Sequence, residues 1–285
     1  MNAFANPDAL VTTAWLAERL NAPDVRIVDA SWYMPAQKRD PRAEYNAEHI
    51  PGAVFFDIDD IAEKPSDLPH MLPSPEKFAS RVRKLGLGDG SRIVIYDGSG
   101  QMIASARAWW MFRAFGHKDV AILEGGLPKW KREGRPVDDL APMPRERHFT
   151  ARLDSTLVRD LEQMQAIVKS GREQVLDARS EGRFRATEAE PRAGLRGGRI
   201  PGSQNLPYGA LFTADGTLLP AETLKAKFRA AGIDLAKPVA ATCGSGVSAC
   251  VLVFTLHLLG HRQFAVYDGS WTEWGGRSDT PVETG

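Results

Sequence analysis

Val239-Ala240-Ala241-Thr242-Cys243-Gly244-Ser245-Gly246-Val247-Ser248 is the stretch on which the fold reading turns. A short apolar run enters a glycine-rich turn, and an apolar stretch from Val247 to Leu259 follows. The pattern is strand, loop, helix. An earlier copy stands at Ile93-Val94-Ile95-Tyr96-Asp97-Gly98-Ser99-Gly100, followed by the apolar run Ala104–Phe115. Three more blocks recur in the same order on either side of these. Arg26-Ile27-Val28-Asp29-Ala30 returns as Gln174-Val175-Leu176-Asp177-Ala178, and His49-Ile50-Pro51-Gly52-Ala53 returns as Arg199-Ile200-Pro201-Gly202-Ser203. Val120-Ala121-Ile122-Leu123-Glu124-Gly125-Gly126, closed by Trp130, returns as Phe264-Ala265-Val266-Tyr267-Asp268-Gly269-Ser270, closed by Trp274. The chain is one plan written twice.

Each copy alternates short apolar runs with amphipathic stretches, the pattern of α/β units around a mostly parallel sheet flanked by helices. Strands are expected at Val25–Val28, Ile93–Tyr96, Val120–Leu123, Gln174–Leu176, Val239–Thr242 and Phe264–Tyr267. Ser74-Pro75-Glu76 predicts a helix start, and Gly116 and Gly260 predict helix ends. The polar, proline-containing stretch around Ala141–His148 places a linker at 141–153, between an N-terminal domain at 1–140 and a C-terminal domain at 154–285.

Bulk properties narrow the classes of function. Thirty-six basic and 36 acidic side chains among 285 residues cancel, so no basic field points to nucleic acid or an anionic membrane. No apolar run approaches the roughly 18 residues needed to span a bilayer. Met1-Asn2-Ala3-Phe4-Ala5-Asn6-Pro7 has neither a basic segment nor an apolar one, so no secretory signal is expected. The two cysteines, Cys243 and Cys250, are too few for a disulfide framework. At helical rise they would stand about 10 Å apart, beyond bridging range. The cytoplasm, where thiols stay reduced, is the expected compartment.

A strand running into Cys243, a glycine turn and a helix would aim backbone N–H groups and the positive helix end at the sulfur. Such a setting favours the thiolate, the reactive form. The plain alternative is an inert packing cysteine. A cysteine phosphatase would need an arginine six positions on, and that position is Ala249. A dinucleotide site would match Gly244, Gly246 and Ala249, with Asp268 about 20 residues further. It would also need strands beyond Asp268, where only residues 269–285 remain.

Cys243-Gly244-Ser245-Gly246-Val247-Ser248-Ala249-Cys250 resembles the active-site loop of the rhodanese superfamily, and within it of the 3-mercaptopyruvate sulfurtransferases. Further matching segments include Phe55–Asp59, His70–Pro73, Trp109–His117, Gly182–Arg185 and Asp268–Trp274, so the resemblance covers nearly the whole chain. Ser248 departs from the family's usual threonine but keeps the hydroxyl. The resemblance implies two tandem rhodanese-like domains, with Cys243 as a persulfide-forming nucleophile in the second. Asp97 occupies the cysteine position of the first domain, which is expected to be catalytically silent. By the same resemblance Arg183 and Arg192 bind the substrate, and Asp59, His70 and Ser245 form a proton relay. Gly244, Ser245, Gly246, Val247 and Ser248 would cradle the persulfide.

The loop has no charged residue, whereas thiosulfate-using members carry basic residues there; this favours 3-mercaptopyruvate as donor. A thiol such as thioredoxin, or cyanide in the test tube, would be the acceptor. No metal or organic cofactor is implied. A thiosulfate:cyanide sulfurtransferase and a persulfide-relay module without small-molecule turnover stay open as alternatives. Arg185, Arg196 and Arg199 are expected to be solvated, and Cys250 to pack in the helix. His49, His117, His148, His257 and His261 are expected to be structural or exposed. Trp109, Trp110, Trp271 and Trp274 are expected as core or interface anchors, the last two able to wall a cleft.

Overall fold

The computed structural model describes residues 4–285. Residues 1–3, part of the segment read for a signal, lie outside the described residues. The first half holds β1 (Leu10–Val11), β2 (Val25–Asp29), β3 (Val54–Phe55), β4 (Arg92–Tyr96) and β5 (Val120–Leu123). The second half holds β6 (Val158–Arg159), β7 (Gln174–Asp177), β8 (Gln204–Asn205), β9 (Val239–Thr242) and β10 (Phe264–Tyr267). They form two five-stranded parallel sheets of the same topology, β1-β5-β4-β2-β3 and β6-β10-β9-β7-β8. Each central strand is apolar and enclosed on both faces, as a helix-covered parallel sheet requires. The expected α/β class of two similar units is the observed one.

Local signals act where they were read. Ser74 Oγ accepts from Lys77 N at 3.2 Å and starts the helix Pro75–Lys84. Gly116 and Gly260, at φ +90° and +86°, turn the chain out of the helices Ile103–Ala114 and Ala249–Leu258. β1, β3, β6 and β8 were not anticipated, because strands of two residues carry no periodicity to read. Residues 141–153 carry no helix or strand. They lie tightly against the first half: a Cβ on Gly86 would come within 2.8 Å of Pro144 Cβ, and one on Gly88 within 2.6 Å of Arg147 Cβ.

The helices Ile103–Ala114 and Ala249–Leu258 decide how the halves meet. Both are apolar almost all round, so neither can present a wetted face. They pack against each other, with the Trp109 and Phe254 rings edge to face at 5.0 Å. One cluster of buried side chains runs through both halves, from Val28, Phe56 and Phe112 to Leu176, Phe254 and Val266. Smaller clusters back each sheet, around Val94 and Trp130 in the first and around Met164 and Trp274 in the second. Trp109 and Trp110 therefore anchor the contact between the halves. Trp271 and Trp274 are enclosed behind the second sheet and wall no cleft.

Because the core is shared, damage at the seam should weaken the whole molecule. Phe254→Ala is expected to cost about 3–5 kcal/mol in urea unfolding. A loss under about 1 kcal/mol would mean that the halves hold themselves up separately.

Candidate functional site

β9 delivers Cys243 to the carboxyl end of its sheet, where open α/β sheets place ligands. The loop that follows has its carbonyls pulled outward. Cys243 O accepts from Trp271 N at 2.9 Å, and Gly244 O accepts from Thr272 N at 2.9 Å and Thr272 Oγ1 at 2.6 Å. Gly246 O accepts from Arg107 Nη1 at 3.2 Å and from the Cys250 thiol at 3.2 Å. Across a planar trans peptide the next N–H points the opposite way, so the amides of Gly244, Ser245 and Val247 turn inward. Among the described residues, no hydrogen bond takes up the N–H groups of Gly244, Ser245, Gly246, Val247 or Ser248. The helix Ala249–Leu258 starts here with no side-chain cap. Its positive end adds to a nest suited to an anion. Gly246 has to be glycine: its φ is +74°, and a Cβ would meet Asp268 O at 2.8 Å.

In the first copy a carboxylate serves the loop and the start of the following helix; of the amides it takes, only that of Ser99 is the twin of a free amide in the cysteine loop, that of Ser245. Asp97 Oδ1 accepts from Ser99 N at 2.9 Å, while Oδ2 accepts from Ala104 N at 3.1 Å and Ser105 N at 2.9 Å. The Ser99 and Ser105 hydroxyls add two more bonds to the carboxylate. A carboxylate thus sits where the second copy places the Cys243 side chain.

A cavity of about 360 Å3 opens on Cys243. Ser245, Arg183 and Arg192 line it from the second half, Trp32 and Ser99 from the first. Arg183 comes so close that a Cβ on Gly244 would lie 2.9 Å from its Nη2. Its charge is matched by Glu190, whose buried carboxylate accepts from Arg183 Nη2 and Arg179 Nη1 at 2.6 Å each. Arg179 also grips Asp177 at 2.7 Å. Arg192 makes no ion pair among the described residues, and its Nη2 reaches Ser245 Oγ at 3.4 Å. Burial, with the nearby Arg183 adding to it, holds the Arg192 guanidinium below its ordinary value, against the pull of a Cys243 thiolate. It is the underneutralised cation of the cavity.

Asp59 and His70 do come together, with Nδ1 2.7 Å from Oδ1. The approach is short but poorly directed, and both ring nitrogens are enclosed without a well-formed hydrogen bond. Burial pushes the Asp59 carboxyl upward; His70, then the Trp32 indole N–H at 3.0 Å, outweigh it and leave the group below its usual value. The His70 ring packs edge to face on Trp32 at 4.8 Å. Among the described residues no hydrogen bond continues from His70 to Ser245, so the structure contains two pairs, Asp59–His70 and Ser245–Arg192.

Two expectations about arginines change. Arg196 is half-buried and ties Trp274 O, Gly275 O and Thr280 O at 2.9–3.1 Å, and Arg199 reaches the carbonyl of Gly285. Both clamp the C-terminal segment instead of lying in solvent. Arg185 is exposed, as expected. Sequence reasoning missed Arg107, Asp268 and Glu190. Arg107 Nη1 meets Asp268 Oδ1 at 2.7 Å in full burial. Burial works against the Arg107 charge, and Asp268, with Cys250 beside it, more than restores it. An arginine in the middle of the apolar run Ile103–Ala114, apart from Arg113 at its end, was the available signal.

Residues 12–133 and 160–277 each match the family model of the rhodanese-like domain. The human 3-mercaptopyruvate sulfurtransferase is 44% identical over 271 residues, covering 93% of this chain and 91% of that protein. The bovine thiosulfate sulfurtransferase is 44% identical over 283 residues, covering 97% and 94%. The crystal structure of the 3-mercaptopyruvate sulfotransferase SseA from Escherichia coli matches with a TM-score of 0.85 and 38% identity. That match covers 92% of this chain and 98% of SseA.

The two thiols should react very differently. Burial pushes the Cys250 thiol well above its ordinary value, which suppresses its thiolate at neutral pH. Iodoacetamide at pH 8 is expected to add one equivalent to the native protein, on Cys243, with Cys250 modified only after unfolding. Peptide mass mapping that found both cysteines alkylated at similar rates would contradict this contrast.

Proposed function

The chain belongs to the rhodanese family, and from that membership and the geometry of the loop we propose that it moves sulfur through a persulfide on Cys243. The supporting observation is the row of untaken loop N–H groups around this thiol, in a cavity that also holds Arg192. The Cys243 thiolate attacks the sulfur of 3-mercaptopyruvate. The carbon–sulfur bond breaks with its electron pair going to carbon, giving the enolate of pyruvate and a Cys243 persulfide. The proton carried by the donor thiol ends on the pyruvate methyl group. Asp59, His70 and Ser245 are assigned to that transfer, since an imidazole moves protons well near neutrality. Gly244, Ser245, Gly246, Val247 and Ser248 hold the persulfide charge through their amides. A thiol such as thioredoxin then takes the outer sulfur, so the kinetics are ping-pong.

Relatives named for mercaptopyruvate and for thiosulfate are equally similar, so donor choice has to be argued from the cavity. Arg183 and Arg192 offer guanidinium forks to a carboxylate and its neighbouring carbonyl. Glu190 already matches Arg183, and the Glu188 carboxylate also lines the cavity, so little positive charge beyond that of Arg192 is offered to the donor. That balance suits a monocarboxylate and disfavours a dianion such as thiosulfate. Within this proposal residues 1–140 form the silent domain, with Asp97 in place of a nucleophile, and residues 154–285 form the catalytic one, joined through 141–153. A cytoplasmic location accords with two free cysteines and with no described helix being long and apolar enough to cross a membrane.

Mercaptopyruvate should release pyruvate with the wild type and leave a mass gain of one sulfur, and Cys243→Ser should do neither. Pyruvate release by Cys243→Ser at the wild-type rate would end the proposal. Glu190→Gln should raise the thiosulfate rate relative to the mercaptopyruvate rate by about tenfold, as one unmatched charge near a protein surface would. An unchanged ratio would remove Glu190 from donor selection.

A further inference from the structure

We infer that Arg107, on a helix of the half without a cysteine, is a positioning residue for the cysteine loop, fixing the Gly246 carbonyl away from Cys243. The inference rests on Cys243 being the reactive group. Arg107 is fully buried, and its partner Asp268 nearly so. Its guanidinium touches three things together. Nη1 binds Asp268 Oδ1 at 2.7 Å and Gly246 O at 3.2 Å, and Nη2 donates to His70 O. Asp268 Oδ2 accepts from Leu72 N at 2.6 Å. One ion pair therefore gathers the His70–Leu72 segment, the cysteine loop and the turn after β10.

The outward carbonyls of the loop are not held alike. Those of Cys243 and Gly244 are held by donors of their own half, Trp271 N, Thr272 N and Thr272 Oγ1. Among the described residues Gly246 O has only Arg107 and the Cys250 thiol, and a thiol is a weak donor. Without Arg107 only the Cys250 thiol would hold the carbonyl side of the peptide between Gly246 and Val247 against rotation. Its carbonyl, the negative end of the dipole, could then face the sulfur in place of the Val247 N–H.

The repeat supports a role beyond fastening the halves. Counted from the loop, the twin of Arg107 is Val253; in the repeated block Val120–Gly126 the twin of Asp268 is Glu124, which forms no salt bridge among the described residues. In the first copy the Asp97 carboxylate arranges its own loop. A mobile sulfur cannot do so permanently, and Arg107 acts only on the copy that carries it.

The test compares Arg107→Met and Arg107→Lys in the full chain, each checked for native near-UV circular dichroism. In Arg107→Met, single-turnover pyruvate release should fall about a hundredfold, the scale of losing one aligned donor to a developing anion. The KM for mercaptopyruvate should stay within about threefold, because Arg183 and Arg192 are untouched. Alkylation of Cys243 at pH 7 should fall about tenfold relative to pH 9, as the thiolate loses an inward N–H. Arg107→Lys, which can still pair with Asp268 and reach one carbonyl, should recover most of both losses. If Arg107→Met does not fold, the same readouts on Asp268→Asn decide, with losses in the same direction. An unchanged alkylation profile in a folded variant, or equal losses in the lysine and methionine variants, overturns the inference. Alkylation needs no donor, so a shifted profile alongside a wild type inert to mercaptopyruvate would sink the donor assignment and spare Arg107.

Discussion

Everything at the site depends on two apolar helices, Ile103–Ala114 and Ala249–Leu258, packed against each other at the centre of the molecule. Each begins at a loop that ends a central strand, so burying the pair brings both loops to one cavity, with Ser99 on one side and Cys243 on the other. The helices point positive ends at this region. In the first half the Asp97 carboxylate answers that field; in the second a thiol stands at the equivalent position. The seam between the halves is therefore also the place where chemistry is concentrated, and it is walled by Trp32 from the half that lacks a thiol.

The charged groups around the cavity are arranged with a restraint that stability does not require. Burying Arg107 with Asp268, and Glu190 with two arginines, costs desolvation of several kcal/mol per ion before the pairing is counted. Apolar side chains of similar size could fill the same space. What the ions contribute is placement: Arg107 sets the direction of a peptide dipole, and Glu190 limits how much positive charge reaches the cavity. Arg192, left without a carboxylate, is the group with most to gain from an incoming anion.

Much of this was legible in the sequence. The four repeated blocks became matching sheets because strand, loop and helix signals are local, and residues 174–177 and 239–242 are apolar enough to be buried on both faces. The pairing of Asp59 with His70 and the nearness of Arg183, Arg192 and Ser245 to Cys243 followed from resemblance to known motifs. The two-residue strands were invisible because pairing, not pattern, defines them. Arg107 and Asp268, 161 positions apart, meet only through the packing of the halves. Arg196 looks like a solvated side chain until the carbonyls of Trp274 and Thr280 close around it.

The Asp97 carboxylate, bound to its own loop by five hydrogen bonds, is in effect a ligand that can never dissociate. Its local concentration cannot be matched by any small anion in solution. In the first half the position of Cys243 is thus held by a carboxylate bound to its own loop and helix start. The duplicated half contributes a wall, a guanidinium and a fixed charge pattern to the cavity that opens on Cys243.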